Sequence, residues 1–260
     1  MIDINLIRGY FPGNIRNNSA FDKHMLKEYL LLMILDYISA SPYAGKLCFI
    51  GGSNLRLVQG IDRFSEDLDF DCRDMDKNDF LTMTDDVLAF LRNNNLEVES
   101  RDKENPKLTA FRRNIYFPRL LFELNLTGHR DERFLIKIEA QDQGVKYTPE
   151  IVDVKGCGFF FPLQVPPKNV LCAMKISALM TRAKGRDFYD SMFLLSQTEP
   201  DYEFLKQRNG IGSLDELKAR VSELLNNIDL RVKARDFKHL LFNSNGAEKI
   251  LRFKAFIGSL

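Results

Sequence analysis

Between Glu66 and Cys72 the chain reads EDLDFDC, and no other stretch limits its folding as tightly. Asp67, Asp69 and Asp71 alternate with Leu68 and Phe70. A period of two is that of a β-strand, in which alternate side chains share a face. The segment therefore predicts a strand whose Leu68 and Phe70 enter a core while three aspartates line the other face. Carboxylates held that close repel unless a cation or a proton lies between them. A cation partner is expected.

Upstream, LCFI (Leu47 to Ile50) reads as a short buried strand, followed at once by Gly51, Gly52 and a helix-like SNLRLVQG. Glycines let the backbone approach a ligand closely, and Gly-Ser at the start of a helix offers N–H groups and a hydroxyl to a phosphate. The same three residues also serve as an ordinary tight turn. Neither a Walker Gly-Lys-Ser/Thr ending nor a G-x-G-x-x-G fingerprint is present. A strand, a phosphate-gripping turn and a neighbouring strand with two carboxylates would bring a triphosphate and Mg²⁺ together, because Mg²⁺ favours one or two carboxylates completed by substrate phosphates.

With 260 residues, 45% of them hydrophobic and 28% charged, the chain can build a substantial core without disulfides. Its four cysteines lack C-x-x-C spacing, which disfavours zinc and suits a reducing compartment. Neither a signal-peptide pattern nor a membrane-length apolar run is present, so a cytoplasmic protein is expected. Net charge is only +1, yet acids outnumber bases fourteen to six from Asp62 to Glu104, and bases outnumber acids eleven to six from Leu205 to Leu260. Such an asymmetry suits metal chemistry near an anionic substrate; it also suits ordinary solvated helix faces.

Helices are expected over Ser19 to Ala40 and Asp79 to Asn95, and β-type segments over Leu108 to Tyr116, Arg119 to Leu126 and Arg133 to Ala140. PLQVPPKN reads as a linker, Ser213-x-x-Glu216 as a capping box opening a helix, and Asn243 to Gly246 as a break. The resulting fold class is α+β over residues 1–163 with a helical part over 164–260.

FIGGSNLRL…DRFSEDLDFD resembles the signature of the DNA polymerase β-like nucleotidyltransferases, and most closely their AbiEii/AbiGii toxin branch, with Arg63, Ser65, Asp67 and Asp69 as an Arg-x-Ser-x-Asp-x-Asp run. VLCAMKISALMTRAKGRDFYDSMFLL resembles the later motifs of the branch, a helical Lys175 followed by Arg-Asp-x-x-Asp ending at Asp190. The resemblance implies a polymerase β-like core with a mixed sheet, completed by the helical part. It implies that Asp67 and Asp69, with Glu139 of FLIKIEAQ as third carboxylate, hold two Mg²⁺ ions, Mn²⁺ being the alternative. Glu123 of LLFELNL competes with Glu139 for that role. Gly51, Gly52 and Ser53 would grip the β- and γ-phosphates, Arg63 would neutralise the triphosphate, and Ser65 would order the turn. Lys175 would contact phosphate, Arg182 would add positive charge, and Asp190 would orient or activate part of the site.

The implied reaction moves a nucleoside monophosphate from an NTP to a hydroxyl of RNA, tRNA 3′ ends being the leading case, in a toxin opposed by an antitoxin. Transfer to a small molecule such as an antibiotic is the alternative within the enzyme class, and a non-catalytic nucleotide- or RNA-binding regulator the alternative outside it.

At about 100° per residue, Lys175, Arg182 and Arg186 fall within roughly 40° of one another on a helix. A continuous helix would separate Lys175 from Asp190 by about 22 Å, too far to serve one phosphate. Gly185 resolves this with a helix ending near Ala183 and a second one capped by Asp187, which folds Asp190 back. Read without the resemblance, Asp187 is an N-cap, Asp190 a first-turn acid and Lys175 a solvated lysine. Arg112 and Arg113 are candidate RNA-phosphate contacts or plain strand arginines.

Overall fold

The computed structural model describes residues 2–102 and 109–260. Its contacts divide into two compact units. One comprises Met1–Gly60, Phe64–Gly144 and Glu150–Val165, the other Ile61–Arg63, Val145–Pro149 and Pro166–Leu260.

The first unit opens with two short helices, α1 (Ile4–Gly9) and α2 (Gly13–Arg16), and the long α3 (Asp22–Ser39), in which Met25, Leu26, Leu30, Ile34 and Leu35 are fully buried. Next come β1 (Leu47–Ile50), α4 (Gly51–Leu57), β2 (Asp67–Cys72), α5 (Lys77–Asn93), β3 (Glu99–Ser100), β4 (Phe111–Tyr116), α6 (Leu120–Glu123) and β5 (Leu135–Gln141). The sheet order is β1-β2-β5-β4-β3, with β2 and β5 parallel and the other pairs antiparallel. That mixed sheet places β2 between β1 and β5. Leu68 and Phe70 enter the core as the alternation dictates, while Asp67 and Asp69 are half-buried. Asp71 is buried and accepts the Gln143 N–H at 2.9 Å.

Two segments depart from the sequence expectation. Arg119 to Leu126 is no strand: Arg119 takes φ 57 after Pro118, the chain turns into α6, and Leu120 and Leu121 are buried from a helical turn instead of an alternating face. Proline cannot donate to a ladder, so the break falls there. Glu123 consequently sits on a short helix and not on the sheet. The second departure is a hairpin, β6 (Glu150–Gly156) and β7 (Phe159–Val165), which absorbs PLQV from the supposed linker. Its two-residue turn, Cys157-Gly158, has positive φ at both positions (48° and 85°), the geometry whose twist matches paired strands. Leu108, where a strand was expected to begin, lies outside the described residues.

The second unit contains α7 (Lys168–Arg182), α8 (Gly185–Leu195), α9 (Tyr202–Asn209), α10 (Leu214–Leu225), α11 (Leu230–Asp236) and α12 (Phe253–Gly258). Ser213 caps α10 by accepting from the Glu216 N–H, and the Glu216 carboxylate accepts from Gly212 N–H. Past Asn243 the chain does not simply break but winds as a 3₁₀ run, Ser244–Arg252. Residues 61–63 join this unit through a bridge from Arg63 to Leu241 and a hydrogen bond from Phe242 N–H to the Asp62 carbonyl. No helix among the described residues is long and apolar enough to cross a membrane.

Candidate active site

In the first unit the site is built on register. Asp67 lies opposite Lys137 and Asp69 opposite Glu139 across the parallel pair, while Arg112 of β4 lies opposite Glu139 on the other side. Directly opposed residues in a sheet share a face, so acids and cations form one lateral array. The Lys137 ammonium donates to Asp67 Oδ2 at 2.8 Å, and Arg112 Nε donates to Glu139 Oε1. Glu139, expected as a third metal ligand, instead has its carboxylate engaged by Arg112. Among the described residues no three His, Cys, Asp or Glu side chains converge as a metal cage.

Gly51 begins α4 at φ +80°, and a Cβ there would lie 2.2 Å from Asp69 Oδ2. Only glycine lets the backbone pass that close to the carboxylate. Ser53 is buried at 1% exposure, and its hydroxyl donates to the Asp67 carbonyl oxygen. It was expected to grip phosphate; in this structure it fastens the helix start to β2. Gly52 follows Gly51 in the first turn of α4. Asn54 strengthens the same joint through a bond to the Phe49 carbonyl at 2.7 Å, and Arg56 ties α4 to α3 with a two-pronged contact on Glu28 at 2.8 and 2.9 Å. Ser65 is buried just ahead of the strand. The Gly51 turn and the two half-buried aspartates thus share one rigid frame.

The second unit gathers the other motif residues. Arg63 grips Asp190 with two bonds of 2.8 Å, and Lys175 Nζ reaches Asp190 Oδ2 at 2.9 Å. Asp190 is 0% and Arg63 1% exposed. The enabling feature is the joint between α7 and α8, where Ala183 takes φ 45 and Gly185 packs so tightly that a Cβ would meet the Lys233 carbonyl at 1.9 Å. Asp187 accepts from the Lys184 N–H at 3.0 Å and from Arg182 at 3.0 and 2.8 Å. Arg63 and Lys175, expected on nucleotide phosphates, direct their cations onto Asp190, and Arg182 directs its own onto Asp187.

Two cations share the one carboxylate of Asp190. Burial opposes its ionisation, but Arg63 and Lys175 outweigh burial and push the carboxyl down to about 2. Burial likewise draws the Lys175 ammonium below the ordinary lysine value, against the pull of Asp190. Next to the triad, the Tyr189 hydroxyl donates to Asp62, and burial followed by that bond raises its pKa. Lys137 and Tyr189 are not among the site residues expected from the sequence, and Arg112, a candidate RNA-phosphate contact or a plain strand arginine there, pairs with Glu139. The charge alternation in LIKIEAQ was a visible signal for Lys137, but its partner depended on sheet register.

The fold is that of the nucleotidyltransferases. It aligns with MenT4, a nucleotidyltransferase toxin from Mycobacterium tuberculosis H37Rv, at a TM-score of 0.63 and 16% identity over 100% of this chain and 91% of that one. JHP933 from Helicobacter pylori aligns at 0.54 and 19% identity over 91% and 90%. A putative nucleotidyltransferase from H. pylori aligns at 0.53 and 20% over 89% and 92%. No curated protein matches the chain. The family model for the nucleotidyl transferase AbiEii toxin of type IV toxin–antitoxin systems matches residues 33–254, and the chain belongs to that family.

Proposed function

We propose that the protein transfers a nucleoside monophosphate from an NTP to a hydroxyl of RNA, the 3′ end of tRNA being the leading acceptor, as a cytoplasmic toxin opposed by a cognate antitoxin. The observation that carries the transfer reading is the Gly51 backbone lying against Asp69, with Asp67 two residues earlier on the same strand. With no side chain at Gly51 the backbone and the Asp69 carboxylate meet directly, the juxtaposition that a phosphate and its cation would need. Two carboxylates completed by substrate oxygens suit Mg²⁺, with Mn²⁺ as the alternative, and Asp67 and Asp69 would hold it. When bound, such an ion neutralises phosphate charge and lowers the pKa of an attacking hydroxyl.

The protein's own residues supply the frame. Ser53 fixes the backbone of Asp67, and Arg112 holds Glu139 beside Asp69. Lys137 neutralises Asp67 in the resting protein. Asp190 and Lys175 act as positioning residues that anchor Arg63, two residues ahead of Ser65 in the chain. Support for an RNA acceptor comes from the basic excess after Leu205, and support for a reducing compartment from four free cysteines, Cys48, Cys72, Cys157 and Cys172.

Incubation with each labelled NTP, Mg²⁺ or Mn²⁺, and either total RNA, purified tRNA or no RNA tests the proposal. Label in tRNA that disappears in Asp69→Asn is the expected result. Label only in a small molecule overturns the RNA acceptor, and no metal-dependent label with either ion overturns the transferase.

A further inference from the structure

Within the helical unit a cavity of about 270 Å³ opens between α11 and the 3₁₀ run Ser244–Arg252. Ala234 and Ala247, both buried, line it, and their short side chains leave the depth. Three cations surround it. Arg231 and Arg235 stand one helical turn apart on α11, and Lys238 opens the next turn. All three are exposed, and among the described residues none has a carboxylate within ion-pair distance. Glu248 is the one acid on the lining, so the hollow carries an excess of two positive charges. Leu251, 43% exposed, adds an apolar wall.

Like charges collected around one concavity repel, and nearby acids are not turned to relieve them. Asp229 caps α11 through its bond to the Arg231 N–H, using its side chain on backbone and not on the guanidinium. Two guanidinium forks and an ammonium match phosphate oxygens, with the forks able to bind two oxygens each. A methyl-lined floor with Leu251 at the wall suits the face of a base or sugar, and Glu248 suits an amine or hydroxyl on that same unit.

We infer that this hollow is a binding site for the phosphate of a nucleotide unit, an inference independent of the transferase reading. The phosphate comes from a free mononucleotide or from the backbone of a single-stranded polynucleotide, and the two sources are distinguished by experiment.

The probes are adenosine monophosphate, followed by calorimetry, and a fluorescein-labelled single-stranded RNA 12-mer, followed by anisotropy across a salt series. The variants are Arg231→Gln/Arg235→Gln and a charge-matched control, Lys206→Gln/Lys254→Gln, at exposed positions that do not line the cavity. All four positions are exposed, so melting temperatures stay close to wild type. For a backbone source, the arginine pair weakens 12-mer binding about tenfold and lowers the salt slope by about 1.4, at roughly 0.7 per phosphate for single strands. For a free-nucleotide source, the loss appears with adenosine monophosphate. The control pair changes neither by more than about twofold. Unchanged binding of both probes in the arginine variant, or an equal loss in the control, overturns the site.

Discussion

Asp190→Asn isolates the buried triad. The substitution preserves shape and removes the carboxylate that Arg63 and Lys175, both almost entirely buried, share. Removing one partner of a buried ion pair destabilises a protein by about 3–5 kcal/mol, because the remaining charges stay desolvated. For a chain of this size each kcal/mol lowers Tm by about 2–4 °C, so the expected drop is roughly 6–20 °C. Lys175→Met is the comparison: it keeps the stem and leaves the two-pronged contact between Arg63 and Asp190 intact. It also removes an ammonium that burial already disfavours, and its Tm falls less.

With its carboxyl held at about 2, below the ordinary aspartate value, Asp190 contributes stability that is fully present above the ordinary carboxylate range and lost as pH falls towards 2. That contribution is about 2 kcal/mol. Calorimetric melts of wild type and both variants from pH 7 to pH 2.5 measure it. A Tm for Asp190→Asn within about 2 °C of wild type at pH 7, or a larger drop for Lys175→Met, would refute the reasoning.

Gly51→Ala must displace either the turn or Asp69, since the new Cβ falls 2.2 Å from Oδ2; nucleotide transfer should drop about a hundredfold, read as an initial rate. Asp67→Asn and Asp69→Asn should each abolish transfer. In metal-free melts Asp67→Asn should lose up to about 1 kcal/mol as the half-exposed Lys137 loses its partner. Lys137→Met should tighten Mn²⁺ binding roughly fivefold by spin resonance, because the ammonium and the ion seek the same Asp67 oxygen. Equal affinity would remove Lys137 from the site.

What the sequence determined by itself was whatever depends on neighbours in the chain. The alternation in EDLDFDC places Leu68 and Phe70 inside and the aspartates opposite, because pleat and side-chain period are local properties. Ser213 announces α10, and the joint at Ala183 and Gly185 follows from what a continuous helix would do to Lys175 and Asp190. The hairpin turn at Cys157-Gly158 was legible too, in the alternation of Val152 and Val154 with charged residues, but PLQV read as a linker beside two prolines hid it.

Only the tertiary structure decided which charges meet. Asp67 and Lys137 are 70 residues apart and Arg63 and Asp190 are 127 apart, and no local pattern carries such pairings. Residue types announced a cation for the aspartates. That Lys137 answers one of them, that Arg112 answers Glu139, and that Arg63 turns to Asp190 follow from strand register and helix packing. A charged side chain enters a core only where the fold delivers its counter-charge within hydrogen-bond reach.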